Sequence, residues 1–368
     1  MISIYDPSIE KYSVSAIQAI QSGWISNHGE FIHKSTSLLE NILGVKHAIL
    51  MSNGTCATHC LFLSIQHKYP SIHTIYVPNN CYVAAYNAAL MVYNIDQLRV
   101  MKMNSSTWNI ETDESYIRSL EPNSAVLIVH NLGNIIHVPR LKKIRPDLIF
   151  VEDNCEGCFG KYDDVYSGTS KATLCSSISF YGNKMVTSGE GGAFLTNDTE
   201  LYEHVRKVYS QGMSSIRYLH EVHAYNYRMT NIQAAFLYDQ LSDLSSILQN
   251  KRKVFHQYRE LLDPLIHSRK ITLFEEEKNT ESADWIFSVR IMDLPKTIEN
   301  STKFFKENGV DIRQFFYPIN AHSHLASIQS HSNKLNDEVI MIPSSPDITL
   351  DQQKKVVDTL ILFLDTLQ

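Results

Sequence analysis

The sequence has no hydrophobic run long enough to span a membrane. Apolar stretches such as Ala125–Val129 and Leu360–Leu364 fall far short of the roughly 18–20 residues that a transmembrane helix needs. The first residues, Met1–Asp6, contain no basic region followed by an apolar stretch, so they lack the pattern of a secretory signal peptide. We therefore expect a cytoplasmic protein that does not bind membranes.

An excess of basic charge is also absent. The 33 Lys and Arg residues are outnumbered by 39 Asp and Glu residues, which gives a formal net charge of −6. Nucleic-acid-binding proteins usually have a clustered basic excess, and no basic run occurs in this chain. The sequence therefore predicts no nucleic-acid partner.

Cysteine is scarce and scattered. There are six cysteines in 368 residues, and their spacing does not suggest a disulfide framework, which favours a reducing, cytosolic environment. Cys155-x-x-Cys158 resembles half of a zinc or redox motif, but no second Cys/His pair occurs at ligand spacing. We expect no bound metal and interpret these two cysteines as small, half-buried side chains beside a strand.

The residues that are present predict an α/β protein. Short apolar and β-branched runs alternate with helical patterns over the first two-thirds of the chain. The predicted strands are Ala48–Met51, Thr74–Val77, Arg99–Met103, Ala125–His130, Leu148–Glu152, Ser177–Phe180 and Ala193–Thr196. The predicted helices between the earlier strands are Thr55–Gln66, Val83–Val92 and Asp113–Ser119. This alternation predicts a mostly parallel, seven-stranded sheet with helices on both faces.

The last third of the chain has a different pattern. A long helix is predicted from Thr230 to Leu262, ending at Pro264. Further on, strands are predicted at Trp285–Ile291 and Val310–Ile312, with helices at Thr302–Asn308 and Thr349–Leu364. Because 368 residues suggest about two domains, we predict a large α/β domain over residues 1–245 and a smaller α+β domain over residues 246–368.

Two strand ends carry residues that suit a ligand, since sites in open α/β sheets lie at the carboxyl ends of strands. Gly54 and Thr55 follow the first strand and open a helix, whose free N–H groups suit a phosphate. The alternative is an ordinary capped helix with a turn glycine. Asp153 ends a very apolar strand, where a carboxylate needs a cationic partner such as a protonated heterocycle nitrogen. The alternative for Asp153 is a helix cap or a surface ion pair.

The third candidate is Lys184, which lies in a loop after a predicted strand and is soon followed by Gly189, Gly191 and Gly192. A single lysine is usually a solvated surface charge, but a lysine amine in an apolar pocket can act as a Schiff-base nucleophile. A phosphate site, a buried aspartate and a loop lysine together match what pyridoxal phosphate requires. The combination is much more specific than any one of its parts.

With these motifs the chain resembles the sugar aminotransferase family of pyridoxal-phosphate enzymes, from about Trp24 to the C-terminus. The segments that carry the resemblance are Trp24–Ile32, Ser52–Thr55, Val151–Asp153, Ser179–Lys184, Gly189–Gly192 and Tyr225–Ala235. The resemblance implies the aspartate-aminotransferase (type I) fold, with pyridoxal phosphate as the cofactor.

The resemblance also implies roles for individual residues that face the cofactor ring. Lys184 would form the Schiff base with the cofactor and move the proton to and from the substrate carbon. Asp153 would pair with the pyridinium nitrogen, and Glu156 would contact the ring hydroxyl. Tyr82 matches the aromatic residue that stacks on the ring, although an ordinary core aromatic is the alternative.

Further positions match contacts of the family to the phosphate and the substrate. The phosphate contacts would be Gly54, Thr55 and Ser179. Asn226 matches an asparagine that reaches the phosphate from the neighbouring subunit, which implies a homodimer with composite active sites. His220 and Arg313 match segments that border the sugar-nucleotide pocket.

Members of the family act on nucleotide-linked keto-sugars, and several of these segments are most similar to members that aminate C4 of a 4-keto-6-deoxyhexose. The resemblance thus implies transfer of an amino group from L-glutamate, giving a 4-amino-4,6-dideoxy sugar nucleotide of the perosamine or viosamine type. Amination at C3 is an alternative. A second is the dehydratase branch, whose members carry His in place of Lys184. A third is a catalytically silent regulator, which would usually have lost Lys184 or Asp153.

Overall fold

The computed structural model describes residues 1–6, 8–292 and 298–367. Its α-helices are α1 (Val14–Ser22), α2 (Glu30–Leu43), α3 (Gly54–Lys68), α4 (Val83–Leu90), α5 (Glu114–Arg118), α6 (Val138–Ile144), α7 (Thr199–Val208), α8 (Asn231–Ser242), α9 (Leu244–His267), α10 (Ile298–Glu307), α11 (Leu335–Glu338) and α12 (Leu350–Asp365). Its strands are β1 (His47–Met51), β2 (Ile75–Pro78), β3 (Leu98–Met101), β4 (Ala125–Val129), β5 (Ile149–Asp153), β6 (Lys161–Tyr162), β7 (Val165–Tyr166), β8 (Thr173–Ser179), β9 (Gly192–Thr196), β10 (Thr280–Glu281), β11 (Ser288–Arg290), β12 (Arg313–Gln314) and β13 (Val339–Met341). None of the helices in these described ranges combines the length and the hydrophobicity needed to cross a membrane.

Seven strands form the central sheet, in the order β1-β9-β8-β5-β4-β2-β3. Neighbouring strands from β8 to β3 pair in parallel, whereas β9 pairs antiparallel with both β8 and β1. Strands β2, β4 and β9 are buried along their whole length, as expected when helices cover both faces of a sheet. The predicted mostly parallel, seven-stranded sheet is confirmed.

Alternate residues of the central strands pack into different apolar clusters. Leu127 and Val129 of β4 pack with α3 and α4, whereas Val126 and Ile128 pack with α5 and α6. This alternation follows from the pleat, which points successive side chains to opposite faces. A further cluster joins α1, α2 and α8 to the sheet beside β1, β8 and β9. Because helices occupy both faces, the carboxyl ends of the parallel strands are where a ligand can bind.

The C-terminal part contains a smaller antiparallel sheet in the order β11-β13-β12. Helices α9, α10 and α12 pack on it in one apolar cluster that includes Phe255, Phe305 and Phe363. Helix α9 runs across residue 245, and strand β10 pairs with β6 of the N-terminal part. The division into domains of residues 1–245 and 246–368 therefore stays a prediction.

Two predicted elements in the last third of the chain, one helix and one strand, are wrong. The helix expected from Thr230 to Leu262 is two helices, because Asp243 leaves the helical conformation with φ −106° and ψ 16°. Helix α9 does not end before Pro264 but continues to His267, since a proline in the last turn removes only one of the remaining hydrogen bonds. The strand expected at Val310–Ile312 is replaced by β12, and Val310 forms an isolated bridge to Ile2.

Candidate active site

Asp153 is the last residue of β5 and is 7% exposed. Its Oδ1 accepts the backbone N–H of Cys155 at 3.2 Å, and its Oδ2 lies 3.5 Å from Oγ1 of Thr58 on α3. The hydroxyls of Thr58 and Ser177 are 2.9 Å apart, which ties α3 to β8 beside the carboxylate. No ion pair to Asp153 is found among the described residues, and a buried carboxylate needs a cationic or hydrogen-bonding partner. Asp153 can therefore bind a cationic group of a ligand.

The N-terminus of α3 packs directly on the ends of β8 and β9. Asn53 caps the helix by accepting the backbone N–H of Cys56 at 2.9 Å. A Cβ added to Gly54 would lie 2.8 Å from the Cβ of Ser179, and one added to Gly192 would lie 2.6 Å from the backbone of Asn53. The two glycines thus permit a close approach, which places the predicted phosphate residues Gly54 and Ser179 in contact.

Thr55, the third predicted phosphate residue, is exposed in the first turn of α3. The backbone N–H groups of that turn have no partner within the helix, and the helix dipole adds a partial positive charge. The hydroxyl of Ser179 already accepts the N–H of Tyr181 at 3.3 Å and has a second lone pair and a proton to offer. The start of α3 and the end of β8 therefore form a site that is able to bind an anion.

Lys184 lies in the loop that follows β8. The loop is folded back on itself, since the N–H of Lys184 donates to the carbonyl of Tyr181 at 2.9 Å and the N–H of Ser188 donates to the carbonyl of Phe180 at 2.9 Å. The hydroxyl of Tyr5, from the N-terminal segment, donates to the carbonyl of Lys184 at 2.6 Å. Lys184 lines a cleft together with Ser179, Cys155, Glu156 and Trp285.

Glu156 is buried in the same cleft, with 6% of its surface exposed. Burial raises the pKa of its carboxyl from 4.5 to about 7, with a smaller contribution from Asp153 in the same direction, while the amine of Lys184 and the N–H of Leu132 oppose the shift. The N–H of Leu132 donates to Oε2 of Glu156 at 2.8 Å. Leu132 presents this N–H from a left-handed backbone conformation with φ 57°.

Tyr82 precedes α4, and its ring is largely free, with 60% of the residue exposed. Its edge-to-face contact with Phe316 has ring centres 6.1 Å apart, a favourable geometry for an aromatic pair. The exposed ring is able to stack on a planar ligand.

The segment that contains Asn226 runs beside the end of β1. The N–H of Ser52 donates to the carbonyl of Tyr227 at 2.8 Å, and Met51 forms an isolated bridge with Arg228. Asn226 is exposed, and its Oδ1 accepts Nε of Arg228 at 3.0 Å. The structure thus brings this segment next to the start of α3 without joining Asn226 to the Lys184 cleft.

His220 and Arg313 are not part of the Lys184 cleft. His220 lies on an exposed hairpin, where its Nδ1 donates to the carbonyl of Gln211 at 2.8 Å. Arg313 lies on β12 and forms an exposed ion pair with Asp311. Their roles at the substrate pocket stay predictions.

The described residues contain no group of three or more His, Cys, Asp or Glu side chains arranged to hold a metal ion. Cys155 and Cys158 line the Lys184 cleft as separate free thiols, and burial raises the pKa of both.

Three residues of the site were not predicted from the sequence. Trp285 lines the cleft from 101 positions beyond Lys184, at the start of a predicted strand, and no pattern indicates the contact. Leu132 adopts its left-handed conformation without being a glycine. Asn183 could have been noted as the neighbour of Lys184. Its Oδ1 is buried without a hydrogen-bond partner, which marks it as a group that a ligand could satisfy.

A model of the DegT/DnrJ/EryC1/StrS aminotransferase family matches residues 8–361. The chain belongs to this family. The GDP-perosamine synthase of Vibrio cholerae is 29% identical to it over 369 residues, which cover 97% of each protein. The GDP-perosamine synthase of Caulobacter vibrioides is 30% identical over 318 residues, which cover 84% of each protein.

A solved structure of Escherichia coli GDP-4-keto-6-deoxy-D-mannose-3-dehydratase has the same fold as the chain described here. The TM-score between the two is 0.86, at 18% sequence identity, over 98% of this chain and 99% of that chain. The predicted type I fold and the predicted membership of the sugar aminotransferases are confirmed. The roles of the individual site residues stay predictions.

Proposed function

We propose that the chain is a pyridoxal-phosphate-dependent aminotransferase that moves an amino group from L-glutamate to the C4 keto group of a nucleotide-linked 4-keto-6-deoxyhexose. The product is a 4-amino-4,6-dideoxy sugar nucleotide. The observation that carries the proposal is that Lys184, Glu156 and Ser179 line one cleft, against which Gly54 at the start of α3 also packs. The predicted cytoplasmic location belongs to the same proposal.

The chemistry of the residues in and beside this cleft supports binding of pyridoxal phosphate. The cofactor needs an amine, an acidic partner for its ring nitrogen and a phosphate site. Lys184 supplies the amine and Asp153 the carboxylate. The first turn of α3 supplies N–H groups beside the hydroxyl of Ser179. The buried acid Glu156 would share a proton with the ring hydroxyl, and the exposed ring of Tyr82 is available for stacking.

The chain's own residues then perform binding, orientation and proton transfer. When bound, pyridoxal phosphate supplies an aldehyde that reacts with amines and a ring that withdraws electrons. The amine of Lys184 accepts and returns the proton at the substrate carbon, as a positioned general base and acid. The carboxylate of Asp153 holds a proton on the ring nitrogen, and the N–H groups of α3 bind the phosphate.

The substrate class is supported by the GDP-perosamine synthases, which are similar over nearly the full length of the chain. Lys184 favours amino transfer over dehydration, since the dehydratase branch carries His there and an imidazole cannot form a Schiff base. Retention of both Lys184 and Asp153 also disfavours a silent regulator. Transfer to C3 differs only in how the sugar is held and is the alternative that a substrate panel distinguishes.

The first experiment locates the bond between protein and cofactor. Sodium borohydride is added to protein loaded with pyridoxal phosphate, and digested peptides are analysed by mass spectrometry. We expect the reduced cofactor on the peptide that contains Lys184, no labelling in Lys184→Ala, and normal labelling in Lys171→Ala, a change of an exposed loop lysine. Labelling at another lysine, or none in the wild type, would contradict the proposal.

We also propose a homodimer in which Asn226 completes the phosphate site of the partner subunit. Asn226 is exposed and lies outside the Lys184 cleft of its own chain. The neighbouring hairpin exposes apolar side chains, including Ile216 at 63% and Tyr218 at 77%, which a second subunit could cover.

A mixing experiment tests the composite site. Subunits with Lys184→Ala and subunits with Asn226→Ala are combined under conditions that exchange chains. Composite sites predict that mixed dimers contain one intact site, so that activity returns to a fraction of that of the wild type. If exchange is demonstrated and Asn226→Ala weakens cofactor binding, yet no activity returns, each chain builds its own site.

A further inference from the structure

Trp285 contacts two consecutive residues of the Lys184 loop. The Nζ of Lys184 lies 4.1 Å from the centre of the Trp285 ring. The indole Nε1–H of the same side chain donates to the carbonyl of Asn183 at 2.8 Å. Trp285 is only 5% exposed, and the attraction between a cation and an aromatic face strengthens as water is excluded.

The main chain of Trp285 is itself held by buried groups. Its carbonyl accepts Nζ of Lys251 at 2.8 Å, and Lys251, which is 1% exposed, also donates to the carbonyl of Ser344. On the other side, the backbone N of Trp285 packs against Gly133, where an added Cβ would lie 3.1 Å away. The backbone of Trp285 therefore lies between α9 and the loop that supports Glu156.

The ring face is the contact that holds the lysine amine. Nζ of Lys184 forms no hydrogen bond and no ion pair with any of the described residues. Glu156, Cys155 and Cys158 line the same cleft and interact electrostatically with Lys184. The face of the Trp285 ring is in close contact with Nζ, 4.1 Å from the ring centre.

We propose that Trp285 is a positioning residue for Lys184, whose ring face retains the free amine inside the cleft while its N–H fixes the loop backbone. The inference rests on the proposed function, in which the amine is bonded to the cofactor for part of the cycle and free for the rest. A lysine stem is flexible, so a released amine would otherwise sample many positions. Holding the protonated amine there, where loss of its proton to water gives the nucleophile, raises the rate of the next bond-forming step.

The test compares variants of two buried tryptophans in the full-length protein freed of cofactor. Trp285→Leu removes the ring face and the N–H, whereas Trp285→Phe keeps a ring face and removes only the N–H. The control is Trp108→Leu, because Trp108 is 1% exposed in the same apolar cluster and its ring packs on Phe274 instead. Pyridoxal phosphate is added, and the rate at which the Lys184-bonded cofactor forms is followed by absorbance.

We expect Trp285→Leu to slow this step about fivefold, Trp285→Phe to slow it less, and Trp108→Leu to react like the wild type. Binding of 4′-deoxypyridoxine phosphate, which lacks the aldehyde, should be unchanged in all three, because the phosphate site is intact. Equal slowing in Trp108→Leu and Trp285→Leu, or wild-type rates in Trp285→Leu, would overturn the positioning role.

A second readout does not depend on cofactor chemistry. The fluorescence emission of Trp285 is obtained by subtracting the spectrum of the Trp285→Phe protein from that of the protein that retains Trp285. In the cofactor-free protein, Lys184→Met should change this emission. Unchanged emission would overturn the contact, even if Trp285→Leu fails to fold. If the wild type forms no bond at Lys184, the proposed function fails; if it does and the Trp285 variants match the wild type, only the positioning role fails.

Discussion

Replacing Glu156 with Gln should make the stability of the cofactor-free protein less sensitive to pH between about pH 5 and pH 8. The carboxyl of Glu156 has its pKa raised from 4.5 to about 7 by burial. The native state therefore binds this proton more tightly than the unfolded chain does. Its stability is greatest below about pH 4.5 and falls as the pH rises through about 7, because the unfolded chain ionises first. Gln keeps an acceptor for the N–H of Leu132 but has no proton to lose.

The size of the effect follows from the pKa. A rise from 4.5 to about 7 corresponds to about 3 kcal/mol of unfolding free energy, at about 1.36 kcal/mol per pKa unit. Most of this difference should develop between about pH 5 and pH 8. Over that range, Glu156→Gln should gain stability relative to the wild type by about 2–3 kcal/mol.

Urea denaturation of both proteins at several pH values measures this difference directly. Two other groups have shifted pKa values: Lys251 is buried, with its pKa lowered to about 7, and Asp284 is half-buried, with its pKa raised to about 6. Both are present in each protein, so their contributions cancel in the comparison. Glu275→Gln, a change at an exposed carboxyl, is the control and should follow the wild type. Parallel pH profiles for Glu156→Gln and the wild type would refute the assignment of a buried, protonated Glu156.

Two further predictions concern the cofactor site. Gly54→Ala places a Cβ 2.8 Å from Cβ of Ser179 and 3.1 Å from Sγ of Cys155. The substitution should therefore cost about 1–3 kcal/mol of stability and weaken the binding of pyridoxal phosphate. Unchanged affinity in an absorbance titration would argue against a phosphate site at α3. Asp153→Asn removes the carboxylate that holds a proton on the ring nitrogen, so single-turnover spectra with glutamate should show slower conversion to the amine form with little loss of stability. A wild-type rate in that assay would count against the role of Asp153.

The sequence was informative wherever the structural signal is local. The apolar run Leu148–Glu152 predicts a strand with the carboxylate of Asp153 directly after it, and β5 extends to Asp153. Gly54 after the first strand predicts a tight connection into a helix, and α3 begins there. These features depend on the hydrophobicity and conformational freedom of neighbouring residues, which are readable from one chain.

Contacts between distant segments could not be read in the same way. The break between α8 and α9 falls at Asp243, whose carboxylate accepts the hydroxyl of Tyr12 at 2.7 Å from 231 positions away. The packing of Trp285 on Lys184 likewise joins two loops that share no pattern. Gly133 signals a turn, but the left-handed conformation of its neighbour Leu132 is set by the hydrogen bond to Glu156 and the surrounding packing. Such features depend on tertiary structure, which propensity does not encode.

The most direct test of the proposed activity is transfer of labelled nitrogen. The protein, loaded with pyridoxal phosphate, is incubated with ¹⁵N-glutamate and a panel of nucleotide-linked 4-keto-6-deoxyhexoses and 3-keto sugars, and the products are analysed by mass spectrometry and NMR. We predict a sugar nucleotide that has lost its keto oxygen and carries ¹⁵N at C4, together with 2-oxoglutarate, and no product with Lys184→Ala. Label at C3, loss of a hydroxyl without gain of nitrogen, or no reaction with any 4-keto sugar would contradict the assignment of this chain as a sugar 4-aminotransferase.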